Sequence, residues 1–171
     1  PALVLVHGFL GGSSTWHGQI RRFGPTRDVI APDLAGFGAS RMAMAPDSIE
    51  GHARLVIDLV DSLGVEAFEL LGHSMGGMVA QKIALIAGSR VERLILYGTG
   101  PTGLLPDRFE SIDVTRRRIA ADGIPATASR IAATWFAAGA ADPGFAACEA
   151  EGAKASMQAA VASLRAWETW D

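Results

Sequence analysis

The run Gly72-His73-Ser74-Met75-Gly76 sets a serine between two glycines in the pattern G-x-S-x-G. That spacing serves nucleophilic chemistry when a strand leads into it and a helix leads away. The tight turn between them holds the serine in a strained backbone conformation with its hydroxyl above the sheet. The flanking glycines are small because strand and helix nearly touch there. Here Ala67-Phe68-Glu69-Leu70-Leu71 reads as a short buried strand, and Met78 to Ala87 has helical character ending at Gly88. Ser74 is the candidate nucleophile, suited to attack on a carbonyl carbon through a covalent serine intermediate.

Such a serine needs a histidine within hydrogen-bond reach to take its proton. Of the four histidines, His73 adjoins Ser74, where a neighbouring side chain normally points away from the nucleophile. His7 closes the first apolar run and is expected to be structural. His17 follows Trp16 in a first helix, and His52 lies near the start of the next long one. None stands where a base is expected. Cys148, among alanines and glutamates, is expected to be inert. No His, Cys and carboxylate cluster has metal-ligand spacing, so no metal is expected. The stretch Gly8 to Gly12 lacks the Lys-Ser/Thr ending of a phosphate loop and the spacing of a dinucleotide fingerprint, and no cofactor is expected.

The elements that must position Ser74 follow from apolar patterning. Leu3-Val4-Leu5-Val6 is a continuous apolar run closed by His7-Gly8, as in a strand buried on both faces. Ser13 to Thr15 offer caps for a helix through Trp16 to Phe23. Asp28 to Ala31 is a second short strand stopped by Pro32-Asp33, and the glycine-rich turn Leu34 to Ser40 follows. Pro46-Asp47-Ser48 starts a helix with Leu55, Val56, Leu59, Val60 and Leu63 at helical spacing, ended by Gly64. Arg93 to Tyr97 is the fourth strand. Strands alternating with helices at this spacing imply right-handed crossovers and a parallel sheet.

After Gly98-Thr99-Gly100-Pro101 the rhythm changes to alanine-rich helices, broken at Gly123-Ile124-Pro125 and Asp142-Pro143-Gly144. The expected fold class is α/β, a three-layer sandwich with a mostly parallel sheet of four core strands and an α-helical cap. Residues 1–100 form part of the core and residues 101–171 the cap. Phe9, Leu10, Trp135, Phe136, Met157, Trp167 and Trp170 are candidates to line an acyl pocket beneath it.

At 171 residues the chain is long enough for one well-buried core. Its net charge of −3 and its isolated arginine clusters, Arg21-Arg22 and Arg116 to Arg118, give no basic stripe for nucleic acid. No apolar run approaches the roughly 18 residues that span a bilayer. A single cysteine cannot form an internal disulfide, so a reducing, cytoplasmic compartment is the default. The sequence opens on Pro1 without an initiator Met, so the region where a signal peptide would sit is not shown. The expected partner is a small-molecule substrate, and nothing in the sequence sets an oligomeric state.

Three signatures in order, each at its own strand end, carry a family resemblance: His7-Gly8-Phe9, Asp33-Leu34-Ala35-Gly36-Phe37-Gly38-Ala39-Ser40, and Gly72-His73-Ser74-Met75-Gly76-Gly77. With them the chain resembles the α/β-hydrolase family, specifically its capped, esterase-like members. The resemblance is close over about the first hundred residues and covers the helical region only in type. It implies that the backbone N–H groups of Met75 and Phe9 form the oxyanion hole, with His7, Gly8, Gly72, His73, Gly76 and Gly77 supporting elbow and loop. An aspartate replaces the serine in related dehalogenases and epoxide hydrolases, so Ser74 implies acyl chemistry or a related C–C hydrolysis.

The family order is Ser, then Asp or Glu, then His. By that order the catalytic acid and base are expected on strands beyond Trp170-Asp171, and a hairpin is expected before Leu3, so the chain is expected to be truncated at both ends. Asp107 is a weak match to the acid of a minority of relatives, and Asp33 is expected to shape its own turn. An apolar strand at Leu94 to Tyr97, left at a sheet edge, points to the same expectation. The resemblance implies a serine hydrolase of a small carboxylic ester, lactone or related carbonyl compound, which these residues alone are not expected to turn over. Two alternatives stay open: a binding or signalling protein on the hydrolase fold, and C–C hydrolase or lyase chemistry at the same site.

Overall fold

The apolar run after Pro1 forms strand β1, Ala2–Val6, buried along its whole length. The computed structural model describes residues 1–104 and 110–171; Asp107 lies outside them. Three more strands join β1: β2, Val29–Ile30; β3, Phe68–His73; and β4, Val91–Tyr97. All pairings are parallel, in the order β2-β1-β3-β4. The register sets Val6 beside Gly72, Gly72 beside Leu96 and His73 beside Tyr97, so the chain leaves three strands at one sheet edge.

Strand β1 sends alternate residues to two cores, as period-two geometry requires. Leu3 and Leu5 pack with Trp16, Ile20 and Leu71. Val4 and Val6 pack with Phe68, Leu70, Val79 and Ile83. Helix α1, His17–Phe23, follows a 3-10 turn at Ser13–Trp16 and covers the first face. Helices α2, Ile49–Ser62, and α3, Met75–Ile86, cover the second. The expected three-layer α/β arrangement with a parallel sheet is the one found.

Helix α2 starts where Ser48 accepts the Gly51 N–H at 3.1 Å. It ends in a Schellman turn: Gly64 takes φ 67°, Val65 N–H reaches Val60 O at 3.1 Å and Gly64 N–H reaches Asp61 O at 2.9 Å. Its buried face is Ile49, His52, Ala53, Val56 and Val60. Leu55 and Leu63, expected on that face, point outward at 45% and 54% exposure. The buried face is rotated by about one residue, roughly 100°, from the row of leucines, with His52 and Ala53 on it beside Val56 and Val60.

Beyond β4 come α4, Ile112–Ala133, α5, Phe145–Gly152, and α6, Met157–Glu168. Gly123 interrupts α4 with φ 77° and ψ 177°, and Pro125 falls in the first turn after the break, where a missing N–H is harmless. The second expected break is also present: Asp142 accepts the Gly144 N–H at 2.8 Å just before α5. Helix α6 docks on the glycine-rich turn. Ser156 N–H donates to Gly36 O at 2.8 Å, and Gly36, at φ 85°, leaves room for Ala159 where a side chain would collide. Residues of α4 and α6 share one continuous core with the sheet, α2 and α3. No helix among the described residues is long and apolar enough to cross a membrane.

Candidate active site

Strand β3 runs on through Gly72 and His73, and α3 begins at Met75, three residues earlier than the apolar pattern alone suggests. Ser74 alone makes the junction, at φ 54° and ψ −121°. Only two described non-glycine residues have positive φ, Ser74 and Leu10, and both border the same loop region. The strain is held from both sides. Ser74 N–H donates to Tyr97 O at 3.0 Å, while Ser74 O accepts from Gly77 N–H at 2.8 Å.

The glycines around Ser74 are sites of close approach. A Cβ on Gly72 would strike the Gly76 carbonyl, and one on Gly76 would strike the Val6 and His7 carbonyls. One on Gly77 would meet Thr99 at 2.5 Å, and one on Gly8 would lie 3.0 Å from Ser74 Cβ. The elbow and the loop after β1 are therefore pressed together, with Gly8 against Ser74. Phe9 follows that contact on one side, and Met75 follows it on the other as the first residue of α3, whose first-turn N–H groups have no partner within the helix.

The loop after β1 is fixed by its own polar groups. His7 is fully buried, with Nδ1 2.8 Å from Gly8 O and Nε2 2.9 Å from Leu34 N. The second contact requires Nε2 as acceptor, so Nδ1 carries the proton and donates to Gly8 O. Burial lowers the His7 pKa, opposed by the Gly8 carbonyl and by Asp33 and Glu151, and keeps the ring neutral as that pairing needs. Asp33 accepts from Ser13 N–H at 2.5 Å and from Ala39 N–H at 2.8 Å, joining its own turn to the loop. Burial works to raise its carboxyl, but these hydrogen bonds outweigh it and hold the group below its ordinary value.

Ser74 opens onto a cavity of about 590 Å³. Gly8, Phe9, His73, Tyr97 and Gly98 border it near the serine, and Trp135, Phe136, Ile131 and Trp167 form an apolar wall from the helical region. Of the expected pocket residues, Leu10, Met157 and Trp170 do not line it. Leu10 is buried at 1% exposure, Met157 is 45% exposed, and Trp170 lies against Lys82, 5.6 Å from its Nζ. Thr15, Trp16, Gln19 and Cys148 line it without having been expected there. Helical spacing across the Ser13–Phe23 segment could have found Trp16 and Gln19; nothing local marks Cys148. Burial, and then Asp142, raise the Cys148 pKa, which keeps it a thiol.

The histidines separate clearly. His73 borders the cavity with its ring 5.2 Å from that of Tyr97, and burial lowers its pKa. His17 is exposed on α1. His52 is buried in α2, and burial first, then nearby His7, lower its pKa to about 4 against a weaker pull from the Pro46 carbonyl. Among the described residues no histidine is hydrogen-bonded to Ser74, and no group of three or more His, Cys, Asp or Glu is placed to hold a metal ion.

This geometry has close parallels. The model of the alpha/beta hydrolase fold family matches residues 1–138. A hydrolase from Pseudomonas aeruginosa superposes with TM-score 0.85 at 28% identity, over 100% of this chain and 65% of that one. An enol-lactonase from Burkholderia xenovorans superposes with TM-score 0.88 at 22% identity, over 100% and 66%, a likeness of fold. The 2-hydroxy-6-oxo-6-phenylhexa-2,4-dienoate hydrolase of Comamonas testosteroni is 36% identical over 108 residues, 60% of this chain and 37% of that protein. The chain spans less than two fifths of the curated relatives it matches.

Proposed function

Because the chain belongs to the α/β-hydrolase fold family, we propose that it carries the nucleophile and oxyanion hole of a serine hydrolase acting on a small, largely apolar carboxylic ester, lactone or related carbonyl substrate. One observation carries this reading: Ser74 is held at positive φ between a buried strand and a helix, facing an aromatic-walled cavity.

In this reading Ser74 Oγ attacks the carbonyl carbon, and its proton passes to a base as the C=O electron pair moves onto oxygen. The N–H groups of Phe9 and Met75 stabilise that oxyanion, aided by the positive end of α3. Collapse expels the alcohol, protonated by the same base, and leaves an acyl ester on Ser74. Water then repeats the sequence and releases the acid. We assign the base and its carboxylate partner to residues outside this chain, since His7 is buried and bonded to Gly8 O and Leu34 N–H, His52 is buried in α2, His17 is on the surface, and His73 makes no hydrogen bond to Ser74. The apolar wall suits the acyl or aryl part, and Gln19, which lines the same cavity, suits a neutral polar group.

The Comamonas relative favours a second reading, hydrolysis of a C–C bond in a dienoate at the same serine. Assaying the whole protein that carries residues 1–171, not these residues alone, against p-nitrophenyl butyrate, an aryl lactone and a phenyl-substituted dienoate tests both. Turnover of ester or lactone with loss in Ser74→Ala supports the first reading. Turnover of the dienoate alone supports the second, and turnover of none of them removes both.

A further inference from the structure

The loop that presents Phe9 is also gripped from the helical side. Glu151, at the end of α5, is 5% exposed although it is a carboxylate. Its Oε2 accepts Ser14 Oγ–H at 2.6 Å and Lys154 Nζ–H at 2.7 Å. Its other oxygen lies against the Gly12 α-carbon so closely that any side chain there would collide with it. The next residue, Gly152, meets the same loop at a second point. A Cβ on Gly152 would lie 3.1 Å from Leu10 O and 3.3 Å from Leu10 Cβ. Leu10 is the second strained residue, at φ 54° and 1% exposed.

A buried carboxylate is costly unless its hydrogen bonds are made, so Glu151 favours the loop conformation that brings Ser14 to it. A non-glycine residue at positive φ persists only where its surroundings enforce it, and Gly152 packs directly on Leu10. The two contacts fall on either side of Gly11 and Gly12, and Phe9 immediately precedes the first of them. From the sheet side, His7 and Asp33 hold the same loop through Gly8 O and Ser13 N–H. The helical side completes a clamp.

We propose that Glu151 and Gly152 are positioning residues: the end of α5 clamps the loop at Ser14, Gly12 and Leu10 and thereby fixes the Phe9 N–H beside Ser74. This rests on the reading of Phe9 as an oxyanion donor, and it gives the helical region a role beyond walling the cavity. Removing the clamp leaves the aromatic wall in place and loosens the donor, so kcat falls while KM stays nearly constant.

The test uses the whole protein that carries residues 1–171, with Glu151→Ala, Ser14→Ala, their double variant, Gly152→Ala, Glu151→Gln and, as control, Arg165→Ala at an exposed position of α6. Two readouts are taken: ester hydrolysis, and amide hydrogen exchange over residues 8–14 compared with 68–86. Expected are a tenfold to hundredfold fall in kcat for Glu151→Ala and Ser14→Ala with KM within about threefold, and no further loss in the double variant. Gly152→Ala should fall similarly, Glu151→Gln should retain most activity through its amide oxygen, and Arg165→Ala should be unchanged. Exchange over 8–14 should rise at least tenfold in Glu151→Ala, with 68–86 unaltered. Unchanged exchange in that loop, or a rise shared equally by 68–86, overturns the clamp whether or not the protein hydrolyses esters. Loss of all ester turnover in the wild type, with loop exchange responding as expected, removes the functional reading and leaves the clamp standing.

Discussion

Ser74 sits in a backbone conformation that disfavours every residue but glycine, at an expense of about 1–3 kcal/mol. Strain kept at one residue predicts a conflict between stability and activity. Ser74→Gly in the whole protein that carries residues 1–171 is expected to gain about 1 kcal/mol in chemical denaturation while losing ester hydrolysis; a loss of stability would contradict the strain. Phe9→Ala is expected to reduce activity less than Ser74→Ala, because the proposed donor is backbone and what is lost is the ring, with its contacts to Trp167 and Phe37 at centroid distances of 5.0 Å and 6.4 Å. Equal and complete loss in both variants would count against that role. His52 makes a pH prediction. Its folded pKa of about 4 lies below its ordinary 6.5, so between those values the unfolded chain binds a proton that the folded chain refuses. Stability therefore falls as pH drops from about 6.5 to about 4, by up to roughly 3 kcal/mol from this residue. Burial of His7 and His73 acts in the same direction. Denaturation midpoints at pH 7.5 and 5 should converge in His52→Leu; an unchanged pH dependence would exclude His52 as a source.

At the scale of elements, two glycines that look alike in sequence have opposite demands. Gly123 takes φ 77° at the break in α4, whereas Gly18 lies inside α1 with open space around it. Gly123→Ala is expected to destabilise by about 1–3 kcal/mol and Gly18→Ala to stabilise by about 0.5–1 kcal/mol, both read from denaturant midpoints. The break itself was legible, because Gly-Ile-Pro cannot continue a helix. The face of α2 was less so: leucine spacing favoured Leu55 and Leu63, and only the docked helix reveals that His52 and Ala53 take the inner positions. Strand β4 is an edge in these residues, with Leu94, Ile95 and Leu96 exposed at 37%, 38% and 45%. An apolar edge recruits other strands, so residues 1–171 expressed alone should self-associate in light scattering. Ile95→Lys should lower that tendency; a monodisperse monomer without it would show the edge to be harmless.

Across the whole molecule, the sequence was most informative where chemistry and backbone geometry share the same residues. The elbow glycines, His7-Gly8 and the turn from Asp33 to Ser40 each encode a close approach, and the structure brings all three to one sheet edge. The cavity wall was only half legible, since Trp135, Phe136 and Trp167 line it while Met157 and Trp170 do not, and local sequence does not set which way a helix in a bundle turns. Glu151 was not legible at all: its partner Ser14 is 137 positions away, a contact that exists only once α5 has packed on the loop. The central claim is that this architecture exists to hold Ser74 as a nucleophile. Fluorophosphonate labelling of the whole protein that carries residues 1–171, with the adduct located by mass spectrometry, tests it most directly. One adduct on Ser74, absent in Ser74→Ala together with ester turnover, is the expected result. An unlabelled Ser74 in protein that still hydrolyses esters would contradict it.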